Sequence, residues 1–163
     1  MKLIRFGKWN IYNPNLSYFG RIGYFIHGSP NLAQFFQSHY FRKCIKKIIR
    51  NKTQTVLDVG CGGGDYSFYL AEKYPFLKID AIDISKEGIE MAKIVQEKSN
   101  IHNINFLPSD LEELPEKKKY SLVILINVIN EVKDKREFIK KSLAFVEGGG
   151  VCFYSNTSLP WIL

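Results

Sequence analysis

Apolar positions follow two different rhythms on either side of Thr55. Before it, Leu32, Phe35, Phe36, Tyr40, Cys44, Ile45, Ile48 and Ile49 recur at three- and four-residue steps. That period predicts an amphipathic helix lying on a core. Ser29 suits its N-cap and Pro30 its first helical position, and Arg42, Lys43, Lys46, Lys47 and Arg50 fall mainly off the stripe. After Thr55, short apolar runs at 55–59, 79–82, 104–107, 122–126 and 151–154 alternate with helical stretches near 66–74, 86–98 and 134–146. Pro75 should end the first of these helices, Ser85 cap the second, and Gly148-Gly149-Gly150 stop the third. Strands joined by helix-length connections predict an α/β fold, a mostly parallel sheet with helices on both faces.

The segment ahead of the first helix is aromatic and irregular, with Phe6, Trp9, Tyr12, Tyr18, Phe19, Tyr24 and Phe25 broken by turns at Asn13-Pro14-Asn15 and His27-Gly28-Ser29-Pro30. Residues 1–52 therefore read as an aromatic arm and helix, either a lid over a pocket or a cover for the core. The second unit runs over 53–163. At 163 residues and 45 % apolar, the chain is large enough for one domain with a real core. Its net charge of +7 is scattered, and the clusters at 42–50 and 117–119 suit a solvated helix face and a surface loop better than a nucleic-acid interface. Cys44, Cys61 and Cys152 are far apart and odd in number, which argues against a disulfide framework and against a zinc site. A reducing, cytoplasmic setting suits them. No apolar run approaches the ~20 residues of a membrane span, and no apolar stretch follows Lys2, Arg5 and Lys8 as a secretory signal requires.

The candidate chemistry lies in Val56-Leu57-Asp58-Val59-Gly60-Cys61-Gly62-Gly63-Gly64-Asp65, an apolar strand running into a glycine turn and then a helix. Ligands of open parallel sheets bind outside the carboxyl ends of strands, and glycines there expose backbone amides. No Lys follows the glycines, so a Walker-type phosphate loop is excluded. A dinucleotide fingerprint fails in both registers, at Asp65 and at Ser67. Asp58 near the strand tip would repel a diphosphate; it suits a cationic ligand, or else binds loop amides. Further on, Ile79-Asp80-Ala81-Ile82-Asp83 ends in an acid 19 residues after Gly64, at the spacing of a carboxylate that accepts ribose hydroxyls. Asp80 competes for that role, but Asp83 stands at the strand's carboxyl end, just before the Ser85 cap.

The stretch VLDVGCGGGDYSFYL at 56–70, followed by AIDIS at 81–85, resembles the first two motifs of class I, Rossmann-like S-adenosylmethionine-dependent methyltransferases. The likeness continues through FLPSDL at 106–111, YSLVILINVINEV at 120–132 and FVEGGGVC at 145–152, and covers roughly residues 53–156. It implies S-adenosylmethionine as cofactor, with Asp58, Gly60, Cys61, Gly62 and Gly64 around its methionine and ribose portions. Asp83 would hold the ribose hydroxyls and Ile84 would pack on the adenine. Asp110 would take the adenine amino group beside Leu111, and Asn127 would lie near the methyl. Ile84 and Leu111 equally suit a core, and Asp110 equally suits a cap for Leu111-Glu112-Glu113. The chain departs from the family where Tyr120-Ser121 replaces a usual Phe-Asp, and where Glu131 stands in place of a frequent histidine. Glu131 reads as a base or, more simply, as a solvated acid at a helix start.

The implied activity is methyl transfer to a small-molecule or lipid-like acceptor. In-line displacement at a sulfonium carbon needs alignment and a dry site more than a fixed catalytic side chain, so none is assigned; His27, His39 and Glu131 are the candidate bases. Asn127-Val128-Ile129-Asn130 lacks the Pro-Pro-aromatic sequence of enzymes that methylate base amino groups. The family fold has seven strands, and five are expected here. The nine residues after Tyr154 cannot supply the final two, so the fifth strand should be an open edge that invites self-association. The alternative to an active enzyme is a non-catalytic S-adenosylmethionine-binding remnant or subunit.

Overall fold

A computed structural model of the chain describes residues 17–20, 22, 32–49 and 53–155. The arm at 1–16, the turns at 23–31 including His27 and the Ser29–Pro30 helix start, and the end at 156–163 lie outside the described residues.

Helix α1, Leu32–Ile48, precedes a regular alternation: β1 Thr55–Val59, α2 Asp65–Lys73, β2 Lys78–Asp83, α3 Lys86–Ser99, β3 Ile104–Pro108, a 3-10 turn Leu111–Glu113, β4 Tyr120–Ile126, α4 Lys135–Ala144 and β5 Val146–Ser155. The five strands form one sheet in the order β3-β2-β1-β4-β5, and every pair is parallel. The order reverses between β2 and β4 on either side of β1, so β1 sits at the topological switch point where such sheets bind ligands. On one face, Phe41 and Ile45 of α1, Phe68 of α2 and Ile89 of α3 pack on Val56, Ile79, Ala81, Leu122 and Ile124. On the other, Leu57, Val59, Ile82, Val123 and Leu125 are covered by Leu111, Leu114, Ile129 and Phe145, with Phe138 and Ile139 of α4 against them. Strand β4 is buried along its whole length, as a central strand covered on both faces must be.

Three local expectations are corrected. The glycines at 148–150 do not stop α4, which ends at Ala144, where the Phe145 N–H caps it. They form a bulge inside β5, whose register jumps because Val146 pairs with Tyr120 but Val151 with Leu122. Gly150 fits there because a Cβ would stand 2.9 Å from Val146 and 3.1 Å from the Ser121 carbonyl. Next, the expected stripe holds in the second half of α1, where Cys44, Ile45 and Ile48 face the core, but in the first half Phe36 and Tyr40 are exposed and Gln37, Ser38 and Phe41 are buried instead. The polar pair is tolerated because Ser38 donates to the Phe35 carbonyl at 2.8 Å and Gln37 finds partners on the sheet. His39 is exposed on this helix. Finally, Glu131 does not start a helix; its N–H closes a turn onto the Val128 carbonyl, and α4 begins later behind the Asp134 N-cap.

The missing carboxylate at the foot of β4 is replaced by a hydroxyl. Ser121 Oγ accepts from the Gln54 and Thr55 N–H groups at 3.0 and 2.9 Å and donates to the Thr55 carbonyl at 2.8 Å. β1 and β4 therefore stay stitched at their amino ends. Asp80 spends its carboxylate on neighbours, with Tyr120 and Lys118 both 2.7 Å from Oδ2 and Asn105 2.9 Å from Oδ1. Burial pushes its pKa up, but the bonds from Lys118, Asn105 and Tyr120 outweigh this and hold it below the usual carboxylate range.

Candidate functional site

Where β1 ends, the Gly60 and Cys61 N–H groups both donate to the Ile82 carbonyl, at 2.9 and 3.0 Å, pinning the glycine loop to the tip of β2. Gly60 and Gly64 take positive φ, and each is enclosed: a Cβ would stand 2.6 Å from Val128 or 2.7 Å from Phe106. Gly64 is also the N-cap of α2 and makes no side-chain cap. Asp83 closes the same corner. Its Oδ2 accepts the Gly62 N–H at 2.7 Å and its Oδ1 the Ser85 N–H at 2.8 Å. Each carboxylate oxygen accepts more than one hydrogen bond, so this clamp leaves acceptor capacity on both.

A cavity of about 580 Å³ opens beside the clamp, and Gly60, Asp83, Ile84, Asp110, Leu111 and Asn127 all line it. Ile84 is 77 % exposed, an apolar platform at the strand end rather than core. Leu111 is buried core as well as lining. Asp110 both lines the cavity and caps the 3-10 turn, accepting from the Glu112 N–H, while Glu113 accepts the Asp110 N–H in return. Asp58, Cys61, Gly62 and Gly64 are not among the lining residues. Asp58 is enclosed beneath the loop at 2 % exposure, where its Oδ2 accepts the Ser67 hydroxyl at 2.6 Å. Burial is the main reason its pKa is pushed up to about 7; the Ser67 bond opposes this, and the negative charges of Asp83 and Asp65 add to it. Burial, with Asp58 and Asp83 nearby, also pushes the Cys61 thiol up, which keeps it a neutral thiol at ordinary pH.

The rest of the lining is apolar, from Val59, Ile82, Ile126, Val128, Val132 and Phe138, with a group of acidic side chains among it. Glu112, Glu131, Asp134 and Glu137 join Asp83 and Asp110, and among the described residues the one lining cation, Lys141, is bonded to Glu112 and lies 4.0 Å from Glu137. These carboxylates would repel a diphosphate, whereas an adenosyl ligand with a sulfonium and an ammonium fits both the acidic groups and the apolar wall.

One cluster escaped the sequence reading. Gln37 of α1 reaches the sheet tips, where its amide and that of Asn127 exchange hydrogen bonds at 2.9 and 3.0 Å. Tyr66 and Ser155 bond the same Gln37 amide. The available signal was position: Gln37 lies four and eight residues before Phe41 and Ile45, on the face that is buried.

A family profile described as "Methyltransferase domain" matches residues 50–160 of this chain. The chain belongs to the methyltransferase domain family. Among its relatives, the ubiquinone biosynthesis O-methyltransferase of Rickettsia typhi is 36 % identical over 101 residues, covering 62 % of this chain and 40 % of that protein. The probable (S)-tetrahydroprotoberberine N-methyltransferase 2 of Papaver bracteatum is 27 % identical over 134 residues, covering 82 % of this chain and 37 % of that protein. This methyltransferase domain thus spans about 40 % of the length of the curated relatives it matches. In fold it is similar to coclaurine N-methyltransferase, solved with N-methylheliamine and SAH, at a TM-score of 0.65 and 21 % identity over 76 % of this chain and 36 % of that one. SAH is the demethylated product of S-adenosylmethionine, which is the cofactor of the family. Among the described residues, no helix is long and apolar enough to cross a membrane.

Proposed function

We propose that this chain forms the cofactor-binding part of an S-adenosylmethionine-dependent methyltransferase acting on a small-molecule acceptor. The observation that carries the reading is Asp83, clamped by two backbone amides on the edge of a carboxylate-rimmed cavity. Its remaining acceptor capacity suits a pair of ribose hydroxyls, and the exposed Ile84 beside it offers an apolar face for adenine. Asp110, a carboxylate on the cavity wall, suits the adenine amino group, and Gly60 on the same wall suits the methionine portion. When bound, S-adenosylmethionine supplies an electrophilic methyl group on a sulfonium. The chain's part is to hold that group fixed and to shield it from water. Asp58, buried and tied to Ser67, supports the loop from beneath. The relatives named for ubiquinone biosynthesis and for tetrahydroprotoberberines support a small acceptor.

Titration calorimetry tests the cofactor assignment. S-adenosylmethionine and SAH should bind saturably, and NAD should not compete. Asp83→Ala should weaken binding about tenfold or more, since losing hydrogen bonds to a charged carboxylate costs roughly 1.5–3 kcal/mol. Preferential NAD binding, or an unchanged affinity in Asp83→Ala, would overturn the assignment.

A further inference from the structure

Gln37 is 6 % exposed, and the hydrogen-bonding capacity of its side chain is filled. Its Nε2 donates to Asn127 Oδ1 at 2.9 Å and to Ser155 Oγ at 3.3 Å. Its Oε1 accepts from Tyr66 Oη at 3.1 Å and from Asn127 Nδ2 at 3.0 Å. A primary amide offers two donors and two acceptor lone pairs, so nothing is left over. The four bonds join α1 to the first turn of α2 and to the carboxyl tips of β4 and β5. Asn127, the partner held twice, has a left-handed backbone at φ 61°, and its N–H donates to the Ser155 carbonyl at 2.9 Å. It also lines the cavity, and its neighbour Val128 stands against Gly60.

From this geometry we infer that Gln37 is a positioning residue: it locks the post-β4 turn that walls the cofactor crevice, and thereby couples docking of helix α1 to cofactor binding. The inference rests on the S-adenosylmethionine reading above. Gln37 itself is not among the residues that line the cavity; it acts through Asn127. A satisfied buried amide network holds one arrangement of its members, and removing Gln37 takes away four of the bonds that fix Asn127, Tyr66 and Ser155 relative to α1. The turn then keeps its main-chain bonds, Asn127 N–H to the Ser155 carbonyl and Glu131 N–H to the Val128 carbonyl, but loses the side-chain bonds that tie it to α1. By linkage, whatever helix docking adds to cofactor affinity, the cofactor returns to helix docking.

The test combines calorimetry with hydrogen–deuterium exchange on the full chain, using S-adenosylmethionine as the probe. Gln37→Leu should bind about tenfold more weakly than wild type. Ser38→Ala removes an equally buried hydroxyl that bonds only within α1 on the Phe35 carbonyl, so it should leave affinity within about twofold. In wild type, adding S-adenosylmethionine should slow amide exchange across residues 32–48, and in Gln37→Leu that protection should be lost. A purely structural glutamine would produce no ligand-dependent protection of the helix. Wild-type affinity in Gln37→Leu, or an equal loss in Ser38→Ala, would overturn the inference. Should the Gln37→Leu chain fail to fold, the wild-type exchange experiment decides alone, and unchanged exchange in α1 counts against coupling. If wild type does not bind S-adenosylmethionine at all, it is the cofactor reading that has failed.

Discussion

The two rims of the crevice are built from different materials. The β1–β2 rim is mostly main chain: Gly60 and Cys61 donate to the Ile82 carbonyl, and Gly62 and Ser85 donate to one carboxylate. Apart from the Asn127 N–H bond to the Ser155 carbonyl, the β4–β5 rim is side chain on side chain, an amide pair from residues 90 positions apart with two hydroxyls around it. A main-chain rim takes its geometry from the strands it continues and from glycines that accept positive φ without steric strain, at the entropic cost of ordering those glycines. A side-chain rim requires a distant helix to dock first. The first draws its hydrogen bonds from β1, β2 and their following turns; the second draws them from α1, α2 and the ends of β4 and β5.

The sharpest way to break the main-chain rim is Gly64→Ala. The new Cβ would lie 2.7 Å from the Phe106 ring and 3.1 Å from Phe68, at a φ of +83°. A left-handed alanine costs about 1–2 kcal/mol and overpacking a core about 1–3 more, so a loss of roughly 2–5 kcal/mol is expected. Urea unfolding measures it, and a change below about 1 kcal/mol would show that the two rings yield freely.

How far each rim was legible in the sequence follows from the same contrast. Gly60, Gly62, Gly64 and Asp83 form a short-range pattern on one strand–turn–helix and the strand after it, and the alternation of apolar runs placed those strands in parallel. Asp83 is legible from its spacing after the glycines, whereas Ile84, Asp110, Leu111 and Asn127 follow only from the family resemblance; all five line the cavity. Asp58 was named for the ligand, but the pleat of β1 aims it inward at Ser67, a direction that residue type does not reveal. Gln37 escaped because an apolar count assigns Phe36 and Tyr40 to the buried face; in the first half of the helix Gln37 and Ser38 face in instead. The glycines at 148–150 read as a helix stop because a bulge and a cap use the same residue, and only the register of β4 against β5 distinguishes them.

Asp58 makes the main-chain rim sensitive to pH, the next largest effect. Its folded pKa of about 7 lies above the unfolded value, so the folded state holds the proton more tightly. The resulting stability is fully present below about pH 4 and is lost as pH rises through 7. Between pH 5 and 8 this group alone should lower stability by roughly 2–3 kcal/mol. Asp58→Asn stays neutral and can still accept the Ser67 hydroxyl, so its unfolding free energy should change less over that range. Parallel slopes for wild type and variant would mean that Asp58 is ionised throughout.

Gly62→Ala is the mildest perturbation of the same rim. Its φ of +52° is left-handed, but a Cβ there would meet nothing within 4 Å. Only the backbone cost remains, about 1 kcal/mol in urea unfolding. The Gly62 N–H still points at Asp83 after the change, so the clamp survives. The variant therefore separates conformational strain from packing: Gly62 and Gly64 share the same sign of φ, and only Gly64 is enclosed by aromatic rings. Equal losses at the two positions would mean that backbone strain alone sets the cost of this loop. The expected inequality assigns the difference to Phe106 and Phe68, which brace the glycine turn from beneath.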